Sequence, residues 1–125
     1  MPINMIEKKD GRTLEVFLTK RLTKEDMKEF VPVANRMIAA QGKINVMVVM
    51  HDFEGLEPGA VWEDVKWDSK HYHDVGRVAF VGEKKWQETM SKLSSPFTAA
   101  EVSYFDTNDV DNARNWVEET VPTTA

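Results

Sequence analysis

The sequence predicts an α/β fold of about five strands in a mostly parallel sheet, opened by an antiparallel hairpin and accompanied by four helices. Three observations carry that prediction. The run Ile44-Asn45-Val46-Met47-Val48-Val49-Met50 is apolar towards both faces, as a central strand covered on each side must be. Near the N-terminus, two alternating segments flank Asp10-Gly11, a hairpin-turn signal. After Thr19, helical and strand patterns take turns, and strand–helix alternation requires parallel pairing with right-handed crossovers.

The elements follow in order. Ile3–Lys8 and Thr13–Thr19 alternate as strands, with Leu14, Val16 and Leu18 on one face. Thr23 and Asp26 form a near capping box that opens a helix, along which Met27, Phe30, Ala34, Met37 and Ile38 recur at helical spacing. Gly42 closes this helix in the left-handed region, and Pro32 within it predicts a kink or a 3₁₀ first turn. After the central strand, a helix from about Gly59 to His73 leads to the strand Arg77–Val81, which Gly82 ends. Trp86, Met90 and Leu93 mark a third helix, terminated by Ser94-Ser95-Pro96. Glu101–Phe105 is the last strand. Thr107 or Asn108 then caps a helix carrying Val110, Ala113, Trp116 and Val117, and the tail Val121–Ala125 is expected to fray.

A chain of 125 residues makes one domain, residues 1–125, long enough to bury roughly two-thirds of its unfolded surface. The net charge of −5 argues against nucleic acid, because binding to phosphates needs clustered Lys and Arg. The lysine pairs Lys8-Lys9 and Lys84-Lys85 each sit beside acidic residues and read as solvated surface. With zero cysteines there is no disulfide framework, thiolate zinc site or thiol nucleophile, which fits a reducing cytoplasm. Met1–Glu7 lacks the basic start and apolar core of a signal peptide, and no apolar run approaches a membrane span. A cytoplasmic protein is expected.

Several stretches carry a family likeness: His51-Asp52-Phe53-Glu54-Gly55, Ala60-Val61-Trp62-Glu63-Asp64, Lys70-His71, Arg77-Val78-Ala79-Phe80-Val81-Gly82, Trp86, and Pro96-Phe97 before Ala100-Glu101-Val102. On these residues the chain, from about Met5 to Val117, resembles the SpoIIAA-like family of small bacterial proteins, related to STAS domains and to CRAL-TRIO lipid-binding domains. The resemblance implies the fold already derived. It also implies a contrast. STAS domains that act as anti-sigma antagonists carry a phosphorylatable serine just after the central strand, whereas Asp52-Phe53-Glu54-Gly55-Leu56-Glu57-Pro58-Gly59 has no hydroxyl residue. A switch that adds about two negative charges to a hydroxyl cannot be made there.

In an open α/β sheet, ligands sit beyond the carboxyl ends of the strands. The central strand ends at His51 and Asp52, with Phe53 next. Successive strand residues point to opposite faces, so the sequence does not make His51 and Asp52 partners, and each has a structural reading, Asp52 as a turn residue. The next helix supplies Trp62, Trp67, Lys70 and His71. Trp67 shares a face with Lys70 and His71, but Trp62 and Trp67 are roughly 140° apart, so one face cannot bury both. The second indole is expected under a neighbouring loop; the alternative is an exposed docking surface or a lid over an apolar pocket. Asp64, Asp68 and His71 have metal-like helical spacing, but surface ion pairing accounts for them better and no metal is expected. Most of the 7 methionines read as core, and a pocket between the central strand and this helix would match the lipid-binding relatives.

These observations lead to a non-catalytic binding or regulatory module. Its working face comprises His51, Asp52, Phe53, Trp62, Trp67, Lys70 and His71, and its partner is a protein or a small apolar ligand. No cofactor motif is present. The competing expectation is a small enzyme using His51 or His71 as a base, but no Ser-His-Asp set, Walker loop or G-x-G-x-x-G accompanies it. An exposed edge strand in the first hairpin could pair with its own copy, which leaves a homodimer open without fixing the oligomeric state.

Overall fold

The computed structural model describes residues 3–71, 73–86, 89 and 99–119, with the backbone alone at 68. Strands β1 (Asn4–Lys8), β2 (Thr13–Leu22), β3 (Ile44–Leu56), β4 (Val75–Val81) and β5 (Glu101–Phe105) pair in sequence order in one sheet. β1 and β2 are antiparallel, from Asn4 opposite Phe17 to Lys8 opposite Thr13, and the pairs from β2 to β5 are parallel. The helices are α1 (Lys24–Gln41), α2 (Pro58–Lys70), α3, which opens at residues 84–86, and α4 (Val110–Glu119).

Sheet alternation separates two cores. Leu14, Val16, Leu18, Val46, Met50 and Phe80 face the crossover helices, joined by Ala34 and Met37 of α1, Trp67 of α2 and Trp86 of α3. Met47, Ala79 and Val81 face the other way and meet Ala113 and Val117 of α4. The central strand is therefore covered on both sides, as its two-sided apolar pattern requires. Parallel strands in sequential order put successive right-handed crossovers on one face. The last helix, free of a following strand, covers the other.

Polar groups fasten α4 to the sheet. Asn45, fully buried, donates from Nδ2 to Val117 O at 2.8 Å and accepts from Arg77 N at 2.7 Å. Arg77 donates to Trp116 O at 2.8 Å, with its guanidinium 4.6 Å from the Trp116 ring. On β2, the buried Glu15 carboxylate is gripped by Arg114 at 2.7 and 3.2 Å. The last-turn carbonyls of α4 thus find donors on the sheet, where a helix end would otherwise leave them unpaired.

Most predicted elements appear, but α2 ends at Lys70, three residues short of the predicted His73, and four further differences stand out. β3 runs past His51 to Leu56, and β2 past Thr19 to Leu22. Hydrophobicity pauses at the polar residues, but Leu22 still pairs with Leu56 because the register shifts around Lys20 absorb the irregularity. α1 has the full Thr23–Asp26 capping box and closes at Gly42 (φ 86°), and it runs through Pro32 as continuous α-helix without a 3₁₀ turn. Thr107 and Asn108 belong to a 3₁₀ turn, Thr107–Asp109, that precedes α4. Met90, Leu93, the Ser94-Ser95-Pro96 terminator and the tail Val121–Ala125 lie outside the described residues.

Candidate functional site

Beyond Met50, the β2–β3 ladder continues as a two-stranded projection, since β4 pairs with β3 only as far as Val49–Val81 and β1 with β2 only from Phe17. Within it, Thr19 pairs with His51 and Lys20 with Phe53, leaving Asp52 as the extra residue of a bulge. Asp52 (φ 50°) and Lys20 (φ 61°) are both left-handed. This bulge overturns the expectation that His51 and Asp52 point apart. It turns both outward, 71% and 82% exposed at the side chain, with Nε2 of His51 3.3 Å from Oδ2 of Asp52. Phe53 returns to the core, only 5% exposed and edge-on to Trp86 at 4.9 Å. The Trp86 indole N–H donates to the Phe53 carbonyl at 3.1 Å, beyond the last residue of β3 that pairs with β4.

On α2 the two tryptophans part as their spacing demands. Trp67 turns inward, donates to Asn35 Oδ1 of α1 at 2.9 Å and meets the Phe30 ring edge-on at 5.2 Å. Trp62 turns outward and is 61% exposed, so it does not lie under a loop. Lys66 is 6.0 Å from its ring and pairs with Glu63 at 3.1 Å. Lys70 is exposed. His71 lies against Trp67 with ring centroids 4.7 Å apart, and its Nδ1 is 2.8 Å from Asp74 Oδ2. That pairing closes the turn after α2, whose last backbone bond is His71 N–H to Trp67 O at 2.9 Å. Among the described residues no three His, Asp or Glu side chains are placed to hold a metal; the side chain of Asp68 lies outside them.

The predicted residues therefore form two groups, not one face. α2 starts beside the carboxyl end of β3 and runs back along the sheet. Its end is fixed by Asp74, whose carbonyl accepts from Ile44 N at 3.1 Å at the opposite end of β3. Ile44 to His51 spans roughly 23 Å of strand. His51, Asp52 and the Trp62 half of α2 occupy one end of the molecule; Lys70 and His71 occupy the other. No hydroxyl group stands at the β3–α2 junction: Glu57 precedes Pro58, the first residue of α2, and accepts from Lys24 N at 3.2 Å.

Two features escaped the sequence. The left-handed Lys20 has no compositional signature, although Leu22 and Leu56 beyond the polar interruptions hint that both strands continue. The other feature is a cleft of about 470 Å³ between β1 and α1, lined by Ile3, Asn4, Met5, Glu7, Glu29 and Val33. It arises because α1 leaves the flank of β1 incompletely covered.

The model of the SpoIIAA-like family matches residues 13–118, from the start of β2 nearly to the end of α4. The chain belongs to the SpoIIAA-like family. A solved structure with a SpoIIAA-like fold, that of an uncharacterised DUF3478-family protein from Shewanella loihica PV-4, is similar with a TM-score of 0.73 and 26% identity. The likeness covers 92% of this chain and 91% of that one. No curated protein matches. This SpoIIAA-like domain thus carries an exposed His–Asp pair and an exposed indole at one end of its sheet, and no phosphorylatable residue between them. No helix among its described residues is long and apolar enough to cross a membrane.

Proposed function

We propose that this SpoIIAA-like domain is a non-catalytic, cytoplasmic binding module that docks a protein partner through the outer surface of α2. The observation that carries the reading is Trp62, an indole 61% exposed while Trp67 fills the core position on the same helix. Exposing an indole to water is unfavourable, and tryptophan is among the residues most often found at the energetic centre of an interface. Lys66 and Glu63 give it the polar rim that such anchors have. His51 and Asp52, at the same end, extend this surface. Trp67 occupies the inner face of α2, which favours a protein over a small apolar ligand between helix and sheet. A histidine base at His51 would work in open water, without the exclusion of solvent that strengthens such groups. The absence of cysteine fits a reducing compartment.

The test places a photo-crosslinking phenylalanine analogue at Trp62 in the full chain, with Lys43 at the far end of β3 as control. A discrete adduct at 62, absent at 43 and competed by unmodified protein but not by Trp62→Ala, is the expected result. Trp62→Ala should change stability by no more than about 0.5 kcal/mol, as for other surface substitutions. An adduct that Trp62→Ala competes equally well, or no adduct at 62, would show that the Trp62 indole does not anchor a partner.

A further inference from the structure

From a different part of the molecule, we infer that the outer edge of β1 is a self-association surface, on which a second copy of this chain adds its own β1 antiparallel about a twofold axis at Ile6. The inference does not depend on Trp62. β1 ends the sheet, so one row of its backbone groups is unpaired and available to another strand. Edge strands are normally protected by free charge, by proline or by a bulge. β1 has no proline, and its register with β2 is unbroken from Asn4 to Lys8. Its two charges are engaged within the subunit: Glu7 pairs with Arg36 of α1, and Lys8 lies 3.6 Å from the buried Glu15. What remains outward is the neutral pair Asn4 and Ile6. Ile6 is 48% exposed and, with Trp62, is one of two large apolar side chains left exposed among the described residues.

The partner is identified by register. Antiparallel pairing centred on Ile6 sets Ile6 against Ile6, Met5 against Glu7 and Asn4 against Lys8, with no like charges directly opposed. Centring on Glu7 instead would oppose two carboxylates, which is destabilising. A twofold contact of this kind is self-complementary and closes as a dimer. The β1–α1 cleft supplies a second, independent observation. Its lining mixes Ile3, Met5 and Val33 with Asn4, Glu7 and Glu29, and Arg36 binds Glu7 further along the same helix. The rotation that pairs the strands brings the second copy alongside this cleft with its α1 reversed. The Glu29 end of one helix then approaches the Arg36–Glu7 pair of the other across the axis.

Light scattering and native mass spectrometry on the full chain, from low to high micromolar, test this. Wild type is expected to form a dimer, and Ile6→Lys, which sets two ammonium groups together on the axis, to weaken it by about 100-fold or more. Because Ile6 is exposed, the variant should keep the circular dichroism of wild type. The chain has no cysteine, so Ile6→Cys provides a single, unambiguous crosslink: it should oxidise to a disulfide dimer under mild conditions, while Trp62→Cys should not. A wild-type chain that is monomeric throughout this range would overturn the inference. So would a dimer that survives Ile6→Lys unchanged, or one that Trp62→Cys traps as readily as Ile6→Cys. Loss of crosslinking at Trp62 to other proteins would leave the β1 result untouched, so the two surfaces fail separately.

Discussion

Lys20 is the residue whose backbone its side chain least explains. With φ 61° it occupies the left-handed region, where a residue with a Cβ is disfavoured by roughly 1–2 kcal/mol. It stands across the ladder from the bulge at Asp52, also left-handed, so two such residues mark the place where β2 and β3 leave the rest of the sheet. Aspartate tolerates this conformation better, because its short polar side chain can bond locally. Relief of the Lys20 strain by glycine exceeds the extra chain entropy that glycine loses on folding, about 0.5–1 kcal/mol relative to alanine. Lys20→Gly is therefore expected to stabilise the domain, by up to about 1 kcal/mol, as a rise in the urea midpoint at unchanged slope. A clear fall would show that Lys20 is not left-handed in solution, and the outward turn of His51 and Asp52 would lose its support. The sequence could not anticipate this pair. The end of the apolar run at Met50 pointed to His51 and Asp52, but period-two alternation sent them to opposite faces, and a bulge without glycine leaves no mark in the sequence.

The elements themselves were far more legible, because their signals are periodic or chemical. The two-sided apolar run of β3, the Thr23–Asp26 box of α1 and the spacing of Ala113 and Val117 on α4 each follow from the contacts they make. The polar fastening of α4 was not legible, since Glu15 and Arg114 are separated by 99 residues and either reads alone as surface charge. The hydrogen bond to Glu15, the largest influence, and nearby carboxylates hold Arg114 above the ordinary arginine range, against the opposing effect of burial. A raised value contributes stability that is complete below the unfolded-state pKa and disappears only as pH rises through the folded one. The arginine side of this pair is therefore constant at physiological pH. The two partners differ in burial, 3% exposure for the Glu15 side chain against 27% for Arg114. Deleting the arginine strands a buried carboxylate near Lys8 alone, whereas deleting the carboxylate leaves a guanidinium that can turn to water. Arg114→Leu is therefore expected to cost about 3 kcal/mol and Glu15→Leu about 1 kcal/mol, read from chemical denaturation. Equal costs would mean that α4 does not seal Glu15 from solvent.

Across the molecule, the sheet keeps apart what the sequence suggested as one face. His51 and His71 are each paired with a nearby aspartate, and in a linear reading they bracket the same strand–helix unit. Once α2 returns antiparallel to β3, they stand at opposite ends of a strand segment of roughly 23 Å. They share no partner: His51 meets Asp52 on the projection, and His71 meets Trp67 and Asp74 where β3 begins. The two also differ in kind. His51 is 71% exposed at the side chain and His71 15%, so His71→Ala removes packing against Trp67 and a half-buried bond to Asp74, while His51→Ala removes little. The costs should be about 1–3 kcal/mol for His71→Ala and below about 0.5 kcal/mol for His51→Ala. In the double variant they should add within about 0.5 kcal/mol, as sites without shared contacts do. A coupling above about 1 kcal/mol in a denaturation cycle would mean that α2 transmits between its ends as a unit, tying the Trp62 surface to the His71 turn. Additivity would leave the His51–Trp62 end free to serve a partner without disturbing the turn that anchors α2.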